Sequence, residues 1–475
     1  MKNLTTVILF TLSALLFGCN LTSSENTQSG SNEVDAAAVG LVTQAYLYSY
    51  PSMTMDYTHK VSANVEVSNG LAKAPINQWG SMHQFPKAGY TSVVRPNLDT
   101  FYSVIYADLS DGPLYIEIPA TERYYLIPIL NAHGDVIESL GSRTTGQGAL
   151  KIALLGPNFD GQVDSDLTVI RSTTSLNWLL GRISAKNNED GKLVVSEFQS
   201  KLVAKPLSER NNLQYRTPKG TINQQYVGLT PMDVVDDMDI VQYLNESMAL
   251  LVNNPGYAED APLLTKLQKI GFKAGGSFDI NQFNKATQAA IQKVPQSIAG
   301  AFAKMTANPP TKNLQNGWNV ITSGLGEYGT EYFLRAYVTK IGYGANQAVD
   351  AIYPNAAVDT DGQKFNGSYK YLLHFPADNI PPVNGFWSLT MYDTKGFLVD
   401  NVIDRYNLSS MKDLTYNEDG SLDLLVQFDR PENNESNWLP SPPAGEHFEL
   451  TFRMYYPQDT VLNRTYILPG VKRIK

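Results

Sequence analysis

Cysteine is nearly absent from the sequence: of 475 residues only Cys19 is one, and it lies close to the start of the chain. The remainder can therefore form no disulfide and use no thiol in catalysis. Charge is sparse as well, because charged side chains make up 17% of the residues and the formal net charge is −9. With no basic stripe, this composition predicts no nucleic-acid partner.

Recognisable metal, cofactor and nucleophile motifs are also missing. There is no HExxH or HxH pair, and the five histidines lie far apart, at positions 59, 83, 133, 374 and 447. No GxGxxG follows a strand, and neither GxxxxGK[ST] nor GxSxG occurs. The sequence therefore predicts no cofactor and no metal, although a metal site assembled across the fold stays open. It nominates no serine or cysteine nucleophile.

The start of the chain has the form of an export leader. Lys2 precedes an apolar run over residues 4–17, which is too short to span a membrane. The run ends in "LFGC", which resembles a bacterial lipobox and implies lipidation of Cys19, while Asn20 favours the outer membrane. We expect an exported, lipid-anchored protein that faces the periplasm and meets the membrane only through its lipid. An ordinary signal peptide that leaves Cys19 as a free thiol is the alternative.

Helical and β patterns follow one another along the chain in long blocks. Turn dipeptides separate short β-type runs such as "KLVVSEF" without intervening helices, which favours antiparallel sandwiches or barrels. Helical spacing appears before these runs and again in the middle of the chain. We predict a mainly β, multi-domain α+β protein with a helical middle, divided into a leader (1–19), a flexible tether (20–34), a first helix and β domain (35–230), a helical region (231–345) and a second β domain (346–475).

Two hairpin patterns suggest that the β domains share a building unit. "RYYLIPILNAHGDVI" and "GFWSLTMYDTKGFLV" both place an aromatic strand before a polar residue, a glycine turn and an apolar return. Asn131 and Asp393 take equivalent places, as do Gly134 and Gly396. Long β proteins also produce such hairpins by chance, so duplication stays a hypothesis.

The stretch "RPNLDTFYSVIYADLS" contains the main candidate site. If the chain is extended from Arg95 onward, strand alternation places Arg95, Asn97 and Asp99 above an apolar strip. In the functional interpretation Arg95, Asp99 and Tyr102 are catalytic and Asn97 binds the ligand. Arg95 clamps an oxygen, Asp99 is the acid/base or an orienting carboxylate, and Tyr102, like Asn97, donates a hydrogen bond. In the structural interpretation the trio attaches a loop to a sheet, or Asn97 begins an Asx turn.

A second loop, "GSRTTGQG", surrounds Arg143 and Thr144 with glycines. Glycines let backbone N–H groups approach a ligand, and an arginine beside hydroxyls suits a carboxylate or phosphate. We therefore include Arg143 and Thr144 among the candidate ligand-binding residues. A tight β turn is the alternative.

Several motifs resemble a known pair of protein modules. "VVRPNLDTFYSV", "GSRTTGQG" and "NWLLGR" resemble domain of unknown function family 1254, and "GTEYFLRAYV", "GFWSLTMYD", "FLVDNVIDRYN" and "NWLPSPPAGEHFELTFRMYYP" resemble its C-terminal companion, family 1214. The resemblance implies two jelly-roll-like β-sandwich domains with helices between them, and it supplies no reaction. Polar and aromatic positions that match the companion module include Trp387, Asn401, Arg405 and Arg335, whereas His133 stands where the family is expected to have an acidic residue.

These positions leave three functional hypotheses open. Aromatic and amide side chains such as Trp387 and Asn401, with Arg405, can bind sugars or aromatic rings, although Trp387 can equally fill its own sandwich. The first hypothesis is a small-molecule site in an envelope hydrolase that acts on a small ester, lipid fragment or hydroxy acid. The second is a non-catalytic module that binds a carbohydrate or lipid-like ligand, and the third is a structural envelope protein. Whether the protein is an enzyme, and whether it forms a homo-oligomer, the sequence leaves undecided.

Overall fold

The computed structural model describes residues 33–91 and 93–474, so Cys19 and the leader lie outside the described residues. Helices take up 28% and strands 24%, with the strands in several mainly antiparallel sheets, which confirms the predicted multi-domain α+β class. Across the described ranges, no helix has both the length and the apolar character that crossing a bilayer requires.

The first sandwich contains two sheets. The larger sheet has the strand order β1-β2-β8-β4-β5 and the smaller one β7-β6-β3-β9. Phe101 and Ile105 point into the core between the sheets, as the alternation of the sequence predicts. The strands are β1 (Trp79–Ser81), β2 (Thr100–Asp108), β3 (Leu114–Ile118), β4 (Tyr125–Asn131), β5 (Val136–Gly141), β6 (Leu150–Leu155), β7 (Thr168–Arg171), β8 (Leu176–Ser184) and β9 (Val203–Pro206).

Helices form a separate core beside the first sandwich. The long α1 (Ala36–Ser62) packs through Val42 and Tyr46 against helices that follow residue 230. Although 35–230 is predicted as one domain, the side chains of α1 therefore pack mainly with the helical middle. The other helices of this core are α3 (Pro231–Asp236), α4 (Ile240–Leu250), α5 (Ala261–Leu267), α6 (Lys285–Ile291), α7 (Val294–Ala307) and α8 (Tyr332–Gly342). Two further helices, α2 (Asn188–Glu197) and α9 (Asp459–Leu462), pack in the cores of the first and the second sandwich.

One predicted strand is a helix. "KLVVSEF" lies in α2, because Asn187 caps the helix by accepting a hydrogen bond from the Asp190 backbone N–H at 2.9 Å. Only Gly191 and Val194 of this helix are buried, so the two valines of the run face different environments. The strand prediction was wrong because the β propensity of the valines outweighed the capping signal before them.

The second sandwich repeats this architecture. Its larger sheet has the path β10-β11-β13-β19-β15-β16, with β12 paired to β19, and its smaller sheet is β18-β17-β14-β20. The strands are β10 (Leu314–Gln315), β11 (Trp318–Asn319), β12 (Ala351–Ile352), β13 (Asn355–Ala356), β14 (Lys370–Phe375), β15 (Trp387–Asp393), β16 (Asn407–Ser409), β17 (Leu422–Gln427), β18 (Trp438–Pro440), β19 (Phe448–Tyr455) and β20 (Lys472–Ile474).

The two sandwiches have the same strand order. Strands β2 to β9 correspond one by one to β13 to β20: the path β2-β8-β4-β5 matches β13-β19-β15-β16, and β7-β6-β3-β9 matches β18-β17-β14-β20. Each smaller sheet even has one parallel pair, at the equivalent edge. The side chains of Asn131 and Asp393 accept backbone N–H groups two and four residues later in the same manner. The shared building unit is thereby confirmed.

Candidate functional site

The polar trio lies where the two sandwiches meet. Arg95 forms an ion pair with Glu449 and donates to the Thr451 hydroxyl at 3.2 Å, so it contacts β19 of the second sandwich. Its φ is +52°, in the left-handed region, and its backbone N–H donates to the Gly396 carbonyl at 2.7 Å. The extended path predicted from Arg95 is therefore wrong, and the strand begins only at Thr100.

Asn97 makes the turn that joins this segment to β2. Its side-chain oxygen accepts the backbone N–H groups of Asp99 and Thr100, at 2.7 and 3.1 Å. Its amide donates to the Tyr455 hydroxyl at 2.7 Å. The predicted alternative, an Asx turn, is thus confirmed, and the remaining capacity of Asn97 is used across the interface.

Asp99 is fully buried, with 0% of its surface exposed. Its Oδ2 accepts the Ser388 hydroxyl at 2.6 Å and the Tyr455 hydroxyl at 3.3 Å, and its Oδ1 accepts the Asn407 amide at 2.8 Å. All three donors belong to the second sandwich. These contacts match the structural interpretation of the trio, in which a buried carboxylate attaches a loop to a sheet.

Sequence reasoning missed Arg453, the buried cation of the same interface. Its guanidinium donates to the Thr390 hydroxyl at 2.8 Å, the Tyr392 hydroxyl at 2.7 Å and the Arg95 carbonyl at 3.1 Å. The sequence does contain a signal for Arg453, namely the alternation in "ELTFRMYY". Every second residue, from Glu449 to Tyr455, is polar or tyrosine, and these residues lie on the face opposite the sandwich core. A strand whose two faces are both buried, one of them polar, predicts a domain interface.

Tyr102 lies further along β2, beside a second arginine that sequence reasoning missed. The Arg182 guanidinium lies 5.2 Å from the centre of the Tyr102 ring and donates to the Asn346 side-chain oxygen at 2.8 Å. Arg182 is 7% exposed, and its Nε has no hydrogen-bond partner among the described residues. It lies in "NWLLGR", one of the motifs that carry the family resemblance, so its position was a usable signal.

Arg143 does not join the trio. Its Nε pairs with Asp350 at 2.6 Å, and the Thr144 hydroxyl donates to the Ser139 carbonyl. The Gly141 carbonyl accepts three backbone N–H groups from the same loop, which is a tight turn. Arg143 thus attaches the first sandwich to Asp350 at another part of the interface, and Thr144 holds the turn within the first sandwich.

The C-terminal candidates lie apart from one another. Trp387 is 2% exposed and stacks on Phe452 at 5.4 Å in the core of the second sandwich, the alternative stated for it. Asn401 binds the backbone N–H and carbonyl of Arg405, and the Arg405 guanidinium donates to the Trp438 carbonyl at 3.0 Å. Asn401 and Arg405 thus order a loop of the second sandwich, and the structure brings neither of them to the trio.

A cleft of about 290 Å³ opens between the sandwiches, close to the trio. Tyr124 and Phe386 belong to its lining, with their rings edge to face and the ring centres 5.5 Å apart, and Phe386 stacks on Tyr455 at 4.2 Å. Tyr455 in turn bonds Asn97 and Asp99. A single side chain, that of Tyr455, therefore connects the lining of the cleft to Asn97 and Asp99.

The charges around this cleft balance. Arg123 and Asp190 form a two-bond ion pair, with N–O distances of 2.8 and 2.7 Å. This hydrogen bonding to Arg123 lowers the pKa of Asp190. Lys186 and Glu122 add one charge of each sign to the lining. A neutral ligand would thus meet hydrogen-bonding groups in a lining without net charge.

A second buried polar centre connects the first sandwich to the helices. Arg335 is 0% exposed and lies between the rings of Tyr48 and Tyr332, at 5.4 and 5.2 Å. Its Nη1 is 3.9 Å from the Asp135 carboxylate. Burial, and then Arg335, lower the pKa of His133 to about 4. Within the described ranges, no three histidine, cysteine or acidic side chains come together as a metal site.

Two family models match the sequence. Residues 76–206 match DUF1254 and residues 350–459 match DUF1214, each described as a protein of unknown function. The matched ranges coincide with the strands of the first sandwich and with most of the second. No relative was found among curated proteins.

One solved structure shows the same fold, and a second aligns more weakly. The crystal structure of the VPA0106 protein from Vibrio parahaemolyticus aligns with a TM-score of 0.68 and 20% identity, over 92% of this chain and 100% of that one. An uncharacterized protein from Burkholderia cenocepacia aligns with a TM-score of 0.42 and 11% identity, over 92% of this chain and 94% of that one. The first alignment establishes that both sandwiches and the helical region occur together in another protein.

Proposed function

The chain belongs to the proteins in which a DUF1254 domain precedes a DUF1214 domain, and we propose its function from the shape and charge of the cleft between the sandwiches. The descriptions of both domains name no activity. The protein binds a small, neutral, hydroxylated ligand of the carbohydrate type in this cleft. The observation that carries the proposal is the edge-to-face pair of Tyr124 and Phe386 in a cleft whose lining charges balance. Aromatic faces take the apolar face of a sugar, and the lining supplies donors and acceptors for its hydroxyl groups.

Binding fits the geometry better than hydrolysis does. The carboxylate that a hydrolase would use as acid/base, Asp99, is buried and has both oxygens engaged by the second sandwich. The carboxylates in the lining of the cleft are those of Asp190 and Glu122. Asp190 is already bound on both oxygens by Arg123. The cleft thus offers contact surface and hydrogen bonds, and of its two lining carboxylates Asp190 is already engaged.

The predicted leader supports a location beside the outer membrane. A lipid on Cys19 and the polar residues 20–34 would hold the sandwiches beside the outer membrane, where sugars of the envelope are within reach. The membrane contact is then the lipid alone.

Thermal-shift and calorimetric titration with neutral mono- and disaccharides tests the proposal. We expect a stabilising sugar whose affinity falls at least about tenfold in Tyr124→Ala, because one stacking face is lost. Tyr416→Ala is the matched control, since Tyr416 is 47% exposed and does not line the cleft. Equal losses in both variants, or no binding across the panel, would overturn the proposal. Turnover of acyl esters that disappears in Asp99→Asn, while the urea midpoint of that variant stays unchanged, would favour the hydrolase hypothesis instead.

A further inference from the structure

A second cleft, of about 420 Å³, lies within the helical region and is independent of the cleft between the sandwiches. Its walls come from α1, α7 and α8 and from the link between α3 and α4. Three aromatic rings form its inner surface: Tyr50 lies 5.8 Å from Tyr46 and 5.9 Å from Phe302. A cleft of this size with a mainly apolar lining suits a small amphipathic molecule.

Negative charge predominates at the mouth of this cleft. Three carboxylates, those of Asp236, Asp237 and Asp239, face a single amine, Lys340. Asp236 is already paired, because it forms an ion pair with Lys340 and accepts the Tyr50 hydroxyl at 2.6 Å. The exposed Asp237 and Asp239 therefore leave a net charge of about −2 at the entrance, without a matching cation in the lining.

The helix terminus at this mouth does not reverse the charge. Asp239 caps α4 by accepting the backbone N–H groups of Val241 and Gln242, at 2.8 and 3.3 Å. These N–H groups are consequently not free to bind an anion. Nor does the mainly apolar lining suit a bare metal ion, which would lose its hydration without enough oxygen ligands in return.

We propose that this cleft binds an amphipathic organic cation, such as an alkylammonium compound. The rings of Tyr46, Tyr50 and Phe302 would receive the alkyl chain and the methyl groups on nitrogen, through apolar contact and cation–π attraction. The carboxylates of Asp237 and Asp239 would face the charged nitrogen at the mouth. The partner is thus recognised by two properties together, an apolar body and a positive end.

Calorimetric titration with three probes that share an octyl chain tests this proposal: octyltrimethylammonium, octyl sulfate and octyl glucoside, each below its micelle-forming concentration. We expect the cation to bind at least about tenfold more tightly than the sulfate. In the double variant Asp237→Asn, Asp239→Asn the cation should lose about tenfold in affinity, roughly threefold for each exposed charge, while the glucoside is unaffected. Asparagine at 239 keeps the cap of α4, so the helix should remain intact.

Two further variants locate the site. Ala299→Trp places a large ring in the cleft and should abolish binding of the cation, whereas Ala303→Trp, on the same helix but outside the lining, should leave it unchanged. Asp233→Asn removes an exposed charge of α3 outside the cleft and controls for overall charge. The proposal is wrong if octyl sulfate binds as tightly as the cation, if none of the probes binds, or if Ala303→Trp and Ala299→Trp weaken binding equally.

Discussion

Ser388 donates its hydroxyl hydrogen to the Asp99 carboxylate over 2.6 Å, although the two residues are 289 positions apart in the chain. The bond joins the end of a loop in one sandwich to the outer face of a sheet in the other. Both side chains are buried, so neither can bind water, and the bond gives each a hydrogen-bond partner inside the protein. The position of the first sandwich relative to the second therefore depends on a carboxylate that local sequence would assign to catalysis.

Asp99→Ala should destabilise the protein strongly. The substitution leaves the Ser388, Asn407 and Tyr455 donors buried without an acceptor, which costs about 3 kcal/mol in the free energy of unfolding. Urea denaturation measures the loss, with Asp111→Ala in an exposed turn as the control. In an Asp99→Ala background, Ser388→Ala should cost much less than it does alone. Additive effects of the two substitutions would contradict the proposed coupling.

Asp190→Asn should weaken the lining of the cleft between the sandwiches and alter its response to acid. Hydrogen bonds from Arg123 lower the pKa of Asp190, so the stabilisation is complete above the unfolded-state pKa of about 4 and is lost as pH falls through the lower folded-state value. The side chains of Arg123 and Asp190 are 25% and 20% exposed, so we expect a loss of about 1 kcal/mol at neutral pH. Denaturation midpoints of the two proteins should converge below about pH 3. Midpoints that stay equally far apart down to pH 2 would contradict this account.

The sequence predicts the strands well because their information is local. Alternation within "TFYSVIYAD" assigns Phe101 and Ile105 to the core without knowledge of any partner. The α2 segment shows the limit, since its valines favour a strand while Asn187 starts a helix. The matching turns of Asn131 and Asp393 indicated a shared building unit, but only the strand order of two complete sandwiches shows it.

The candidate site was harder to predict because its contacts are between domains. Arg95, Asn97 and Asp99 read as a ligand-binding group from sequence, and nothing local reveals that Glu449, Tyr455 and Ser388 lie opposite them. A polar cluster at a domain interface and one at a ligand site have the same composition. Only burial and partner identity separate the two.

His133→Gln should reduce the sensitivity of the protein to mild acid. Burial and the nearby Arg335 lower the pKa of His133 to about 4, against about 6.5 in the unfolded chain. The unfolded state therefore binds the proton more readily, and stability falls as pH drops from about 6.5 to about 4, by up to about 3 kcal/mol. Glutamine retains an N–H that can donate to the Pro255 carbonyl, the partner of the histidine Nε2 at 2.9 Å.

The measurement is the urea midpoint between pH 4 and 7 for His133→Gln, the unmodified protein and His83→Gln. His83 is exposed, so its substitution should leave the pH dependence unchanged. A His133→Gln profile as steep as that of the unmodified protein would show that other groups carry the acid sensitivity.

Cys19→Ala should release the protein from the membrane without altering its fold, because Cys19 lies outside the residues that form the sandwiches and the helical region. A single acyl chain binds membranes only marginally, whereas the several chains of a lipidated N-terminal cysteine would hold the protein firmly. Fractionation of expressing cells, with detergent phase partitioning, should recover the unmodified protein with the membrane and Cys19→Ala in the aqueous phase. Ser13→Ala, within the apolar run of the leader, is the matched control and should remain with the membrane. Equal partitioning of Cys19→Ala and the unmodified protein would leave the leader as an ordinary signal peptide, and the envelope sugars named above would then have to be met by a freely diffusing protein.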